Sequence, residues 1–133
     1  MSGVPSRDSP SKALTLAQQR GRQAEDHALA YLIRQHLVLL GRNVGYRVGE
    51  LDLVMRDGTT LVFIEVRSRR RPCFGAAADT IDAAKQRRVV RAAQCWLQRH
   101  PYATFSALRF DVVVIDDGHL RWIPNAFDGD RVL

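Results

Sequence analysis

The chain has 133 residues, 46% of them hydrophobic and 26% charged, which suits one domain with its own core and excludes a disordered polypeptide. Its net charge of +6 points to an acidic partner. No apolar run reaches the roughly 20 residues of a membrane span, and MSGVPSRDSPSK lacks the apolar centre of a signal peptide, so a cytoplasmic protein without a membrane partner is expected.

Residues 1–12, rich in Ser, Pro and Gly, read as a mobile tail ahead of a single domain over 13–133. From about Thr15 to His36 the residues Ala24, Ala28, Tyr31 and Leu32 recur at helical spacing. LVLLGRNV predicts a short strand ending near Asn43. Two strands follow over 50–56 and 61–67, joined at RDGT, where Asp-Gly signals a hairpin. RRRPCFGAA is a loop broken by Pro72 and Gly75. A second helix starts from Asp79 or Thr80 as cap, with an apolar stripe of Ile81, Ala84, Val89, Ala92 or Ala93, and Trp96. LRFDVVVID is apolar almost throughout and predicts a central strand buried on both faces, with GHLRWIP as a short partner. The order is helix, three strands, helix, two strands: a mixed α/β sandwich. Cys73 and Cys95 form no CxxC and are expected to be reduced. His27, His36, His100 and His119 have no zinc-like spacing.

The hairpin carries charges where a core strand would not. Alternation sets Glu50, Asp52 and Val54 on one face and Leu51, Leu53 and Met55 on the other; Leu61, Phe63, Glu65 and Arg67 share a face of the next strand. An Asp57-Gly58 turn brings Glu50 opposite Glu65, whereas a four-residue loop brings Asp52 opposite Glu65. Either register collects all four charged residues on one face. Carboxylates packed together repel unless a cation lies between them, and an Asp with a Glu suits Mg²⁺ or Mn²⁺. From Val66 to Arg91 there are eight basic residues (Arg67, Arg69, Arg70, Arg71, Lys85, Arg87, Arg88 and Arg91) against Asp79 and Asp82, so this stretch holds the whole charge excess. Beside the charged hairpin, that excess points to nucleic acid.

GELDLV and LVFIEVR resemble the active-site hairpin of the PD-(D/E)xK nuclease superfamily. In order, GRQAEDHALAYL, GRNV, GELDLV, FIEVRSR, FGAAADTIDAAKQRRV and RFDVVVI with IPNAF resemble the YraN-like family of small bacterial proteins, over residues 18 to 127. That family is regarded as related to Holliday junction resolvases. The resemblance implies a restriction-endonuclease-like αβββαβ domain, a central mixed sheet flanked by helices, and metal-dependent endonuclease activity on DNA.

Position by position, the resemblance makes Asp52 and Glu65 the metal-binding acids, with the Val66 carbonyl as a further ligand and Glu25 of the first helix as an added acid. Glu50 is either an outer member of the site or an edge cap of the hairpin. Arg67 stands where the superfamily has lysine; a guanidinium cannot serve as a general base, though it can stabilise charge on phosphorus. Lys85 is either a relocated lysine or an ordinary helix-start residue. Arg69, Arg70, Arg71, Lys85 and Arg88 are the expected contacts to the DNA backbone, and no base-reading element is visible, so selectivity would be for branched or structured DNA. A homodimer would suit a junction-cleaving enzyme. The rival expectations are a non-catalytic nucleic-acid binder, favoured by Arg67, and an adaptor whose basic loop takes an acidic protein.

Overall fold

The computed structural model describes residues 13–69 and 81–129. The expected tail over 1–12, Arg70, Arg71 and the alternative helix caps Asp79 and Thr80 lie outside the described residues.

The first helix, α1 (Leu16–Arg34), starts from a reciprocal cap. The Gln18 amide donates to the Thr15 hydroxyl at 3.1 Å and the Thr15 amide donates to the Gln18 side chain at 2.9 Å, satisfying two of the helix's orphan donors. Ala24, Ala28 and Leu32 form its buried stripe. Strand β1 (Val38–Tyr46) does not end at Asn43, as its sequence suggested. Asn43 takes φ 52°, which asparagine tolerates better than most residues, so the strand kinks there and continues. The next strands are β2 (Gly49–Asp57) and β3 (Thr60–Arg69). Helix α2 (Ala83–Arg99) is capped by Asp82, whose carboxylate accepts the Lys85 amide at 2.8 Å, rather than by Asp79 or Thr80. Its buried face is Val89, Val90, Ala92, Ala93 and Trp96; Ala84 is exposed and Ile81, though buried, precedes the helix. Strands β4 (Ala107–Asp116) and β5 (His119–Phe127) complete the described elements.

The five strands form one mixed sheet in sequence order, β1 to β5. All neighbours are antiparallel except β3 and β4, which are parallel because α2 carries the chain back between them. On one face Leu53, Met55, Val62, Ile64, Val113 and Ile115 pack against the α1 stripe. On the other, Val54, Leu61, Phe63 and Phe110 pack against Val89, Val90 and Trp96 of α2. Phe110 to Ile115 are all buried, as the apolar run of β4 predicts. No described helix is long and apolar enough to cross a membrane.

Two details position the site. The hairpin closes with Asp57 paired to Thr60 around Gly58 (φ 62°) and Thr59, one residue later than an Asp57-Gly58 turn. Continued past Leu53↔Ile64, this register sets Asp52 across from Glu65, but pairing stops there and the strands part. Leu51 also breaks the expected alternation: it packs in the α2-side core while Leu53 and Met55 pack beneath α1. The break coincides with the kink at Asn43, the β1 residue skipped between Arg42↔Leu53 and Val44↔Leu51.

At the sheet's far side Asp111 is fully buried yet well satisfied. It accepts from the Arg109 guanidinium at 3.0 Å, the Trp122 indole at 2.9 Å and the Asn125 amide at 2.9 Å. Arg109 also donates to Asp57 at 3.0 Å, tying β4 to the hairpin turn.

Gly49 anchors the start of β2 against α2: a Cβ there would lie 2.5 Å from the Arg88 carbonyl oxygen. Gly49→Ala should therefore push the helix outward and cost about 1–3 kcal/mol. Gly45→Ala, where an added Cβ meets nothing within 4 Å, is the matched control. Thermal melting of both variants checks this; equal stability would mean the close approach of β2 and α2 is dispensable.

Candidate active site

Where β2 and β3 part, four charged side chains from four elements converge. Asp52 comes from β2, Glu65 from β3, Lys85 from the first turn of α2 and Glu25 from α1. The loss of pairing beyond Leu53 leaves the Val66 amide without a strand partner, and it donates instead to Asp52 Oδ2 at 2.9 Å. One acid thus replaces a rung of the ladder and is held in place by the backbone of the other's neighbour.

Glu65 is only 3% exposed. Its Oε2 lies 2.9 Å from Lys85 Nζ, while its Oε1 is buried with no hydrogen-bond partner among the described residues. A buried, unpartnered carboxylate oxygen is costly and calls for a ligand to account for it. Asp52 is pushed up to about 7, first by burial and then by the charge of Glu65, with a side-chain hydrogen bond to Glu65 adding to the rise; the Val66 amide and Lys85 pull the other way. Glu25 is also raised, by burial and by Asp52, against the opposing pull of Asn43 and Arg42. Arg42 holds Glu25 at 3.4 Å and Asp26 at 2.6 Å, which keeps the α1 acid close to Asp52 but engaged elsewhere.

The expected residues thus separate by position. Asp52, Glu65 and Lys85 meet, and Glu25 approaches from the α1 side. No group of three metal-ligating side chains forms among the described residues. Two carboxylates still fit Mg²⁺ or Mn²⁺, because such ions are held by one or two acids and complete their shell with water and phosphate oxygens. The unpartnered Glu65 oxygen beside Asp52 is the donor such an ion would use. Glu50 is exposed, across from Gly45, and takes no part. Arg67, two residues after Glu65 on the same strand, is half-buried and makes no ion pair with any described residue. Arg69 closes its guanidinium on Asp116 at 2.6 and 2.8 Å and holds that carboxyl below the usual range, so its charge is largely spent. Arg88 is exposed on α2 alongside Arg87 and Arg91.

Sequence reasoning passed over Arg42 and Asn43, which shape the α1 side of the cluster, and Asp111, which secures the sheet. Asp111 left a signal as the one acid within an apolar run, and Arg42 and Asn43 left theirs in the GRNV motif, which carried the family resemblance without assigning them a role.

Fold and site together define a small α/β protein with an acid pair and a lysine at a splayed hairpin. Residues 24–115 match the family described as "Uncharacterised protein family UPF0102". A UPF0102 protein of Pseudomonas paraeruginosa is 49% identical over 118 residues, covering 84% of this chain and 94% of its own length. One from Yersinia enterocolitica is 48% identical, with 83% and 95% covered, and one from Vibrio cholerae is 45% identical, with 83% and 93% covered. The chain belongs to the UPF0102 (YraN-like) family.

The raised pKa of Asp52 has a signed consequence. A carboxyl raised from 3.8 to about 7 binds its proton more tightly in the folded state, so this group's contribution to stability falls as pH rises from about 4 to about 7. A cation bound between the two acids would compete with that proton. Mn²⁺ should therefore raise the melting temperature more at pH 8 than at pH 5, and Asp52→Asn should remove both the pH-dependent component and most of the Mn²⁺ gain. Melting curves of the two proteins with and without Mn²⁺ measure this; equal gains in both would place the ion elsewhere.

Proposed function

We propose that this protein is a metal-dependent nuclease that hydrolyses phosphodiester bonds in DNA, on a restriction-endonuclease-like αβββαβ scaffold related to junction resolvases. One observation carries the reading: Glu65, buried in a sheet, has one oxygen on a lysine and another that no described N–H reaches, so that it meets the Asp52 carboxyl across a shared proton or an ion. A purely structural acid would be satisfied on both sides, as Asp111 is. The element order and the likeness to the PD-(D/E)xK hairpin motif agree with it.

Asp52 and Glu65 would hold Mg²⁺ or Mn²⁺, which supplies Lewis-acid activation of the attacking water and screens the phosphate. Lys85 occupies the role left open by Arg67. Its ammonium sits 2.9 Å from the acid, where it orients Glu65 and adds positive charge beside the scissile phosphate. Water adds to phosphorus, the phosphorus–oxygen bond to the leaving sugar breaks, and Lys85 with Arg67 offsets the negative charge that builds up. Arg87, Arg88 and Arg91 along α2 then meet the backbone, and such contacts position a duplex without reading its sequence. Arg67 itself favours a second reading, a nucleic-acid binder that has lost cleavage, because it replaces the usual lysine.

Labelled branched, flapped and linear DNA incubated with Mg²⁺ or Mn²⁺ separates the two. Cleavage should be abolished by Asp52→Ala with binding retained, and reduced about a hundredfold or more by Lys85→Ala, the scale of one lost electrostatic stabiliser. Arg67→Lys should keep activity, and a melting curve shows that Lys85→Ala is folded. If the wild type is inert with both ions while Arg67→Lys cuts, the binder reading replaces this one.

A further inference from the structure

The nuclease reading draws on the α2 side of the sheet and leaves a second concavity, on the α1 side, without a role. It is a pocket of about 150 Å³ where α1 passes the ends of β3 and β4, lined by Arg20, Gln23, Ala24, His27, Ser68 and Ile115. Its floor is apolar, since Ala24 and Ile115 are each 6% exposed. Its polar lining has a single chemical character. Arg20, Gln23 and His27 stand at i, i+3 and i+7, one stripe of the helix, and Ser68 faces them from the strand. Each of these four side chains can donate a hydrogen bond, and no carboxylate of the described residues lines the pocket. None of the four is engaged by another described residue. Among the described residues, a hollow with one cation, several donors without a partner and no acid suits an anion.

Ser68 lies three residues beyond Glu65 on β3, about 10 Å at the usual 3.3 Å per residue. Arg69, the next residue, is already committed to Asp116, so Arg20 is the cation that this end of the strand presents to the α1 side. We infer that the pocket is a subsite for a backbone phosphate of a nucleic acid, flanking the phosphate cut at Glu65. The inference rests on the nuclease reading for its substrate class and on the pocket's own chemistry for its position. Ser68, at odd spacing from Glu65, faces the other side of the sheet, so a nucleic acid that occupied both places would have to pass around the end of β3.

The test is a salt series of binding to labelled duplex and single-stranded DNA, without divalent ions, by the full chain and by Arg20→Ala, Arg20→Glu and Arg34→Ala. Arg34 lies in the last turn of the same helix, outside the pocket, and controls for net charge. Loss of one phosphate contact should weaken binding regardless of DNA sequence and make the salt slope shallower by about 1 for Arg20→Ala, with Arg34→Ala unchanged. Arg20→Glu should weaken binding further, and a melting curve for each variant verifies folding. Equal losses in Arg20→Ala and Arg34→Ala would mean that bulk charge alone attracts DNA, and would overturn the subsite. Inorganic phosphate is a separate arm: if it raises the melting temperature through Arg20 while DNA affinity ignores Arg20, the pocket takes a free anion and the backbone assignment falls. Cleavage is scored separately. A wild type that binds with the Arg20-dependent slope but cuts no DNA keeps the subsite and removes the nuclease reading, whereas cleavage with Arg20→Ala binding unaltered does the reverse.

Discussion

The arrangement of this protein turns on Glu65, an acid set into the middle of a hydrophobic sheet. Taking a charge out of water costs several kcal/mol, and attraction to one partner offsets it only when the remaining lone pairs are also satisfied. Glu65 has the lysine on one oxygen, and beyond it only the carboxyl of Asp52, a group that itself needs a proton or a cation to sit there. Its charge in turn helps raise Asp52. Lys85 shows how far the local structure yields to this acid. It sits at the third position of α2, where a cation opposes the helix dipole by about 0.3–1 kcal/mol, and no acidic residue stands in that first turn. The helix start is instead secured by the Asp82 cap, which accepts the amide of the same lysine. The cap and the ion pair thus hold one residue from both ends, backbone at Asp82 and ammonium at Glu65.

The rest of the fold holds the parting of β2 and β3 open. A hairpin in water tends to pair along its length, and a gap must be kept by its surroundings. Here the Asn43 kink disturbs β1 just opposite the gap, Leu51 turns into the α2-side core, and Asp52 takes over the Val66 amide. Gly49 lets β2 come against the α2 backbone at Arg88, so the helix bearing Lys85 is seated close to the gap. On the far side Asp111 and Arg109 lock β4 to β5 and to the hairpin turn, across a register shift between Phe110 and Val112.

How much of this could be read from the residues depends on the range of the interaction involved. Elements with their own periodicity were legible: the stripe of α1, the apolar run of β4, and the Asp-Gly hairpin signal all appear where the residues predict them. The hairpin register was not, because two turns differing by one residue are both compatible with RDGT; the pairing of Asp57 with Thr60 selects the one that faces Asp52 with Glu65. Strict alternation failed at Leu51 because the kink that diverts it lies in another strand. The α2 start was placed a few residues early, since Asp79, Thr80 and Asp82 are all good caps and only tertiary packing chooses among them. Whether Lys85 was an ordinary surface lysine or part of the cluster was undecidable from sequence, since its partner is twenty residues away and on another element.

That placement bears most on what Arg67 means. Under the nuclease reading, a guanidinium where the resembled hairpin motif has lysine looks, in isolation, like a sign of lost chemistry, because it stays protonated and cannot take a proton from water. The inference holds only if that strand position is the sole source of the lysine's chemistry. In this molecule the cation touching the acid pair arrives from α2, and Arg67 is left half-buried and without an ion pair among the described residues. In the nuclease reading the two jobs usually combined in one lysine are therefore divided: the adaptable ammonium of Lys85 sits on the acid, and the permanent charge of Arg67 waits for the phosphate. An arginine that had merely replaced a catalytic lysine would face the same two acids and bind one of them. In the nuclease reading, its lack of such a bond among the described residues leaves its charge available to the phosphate.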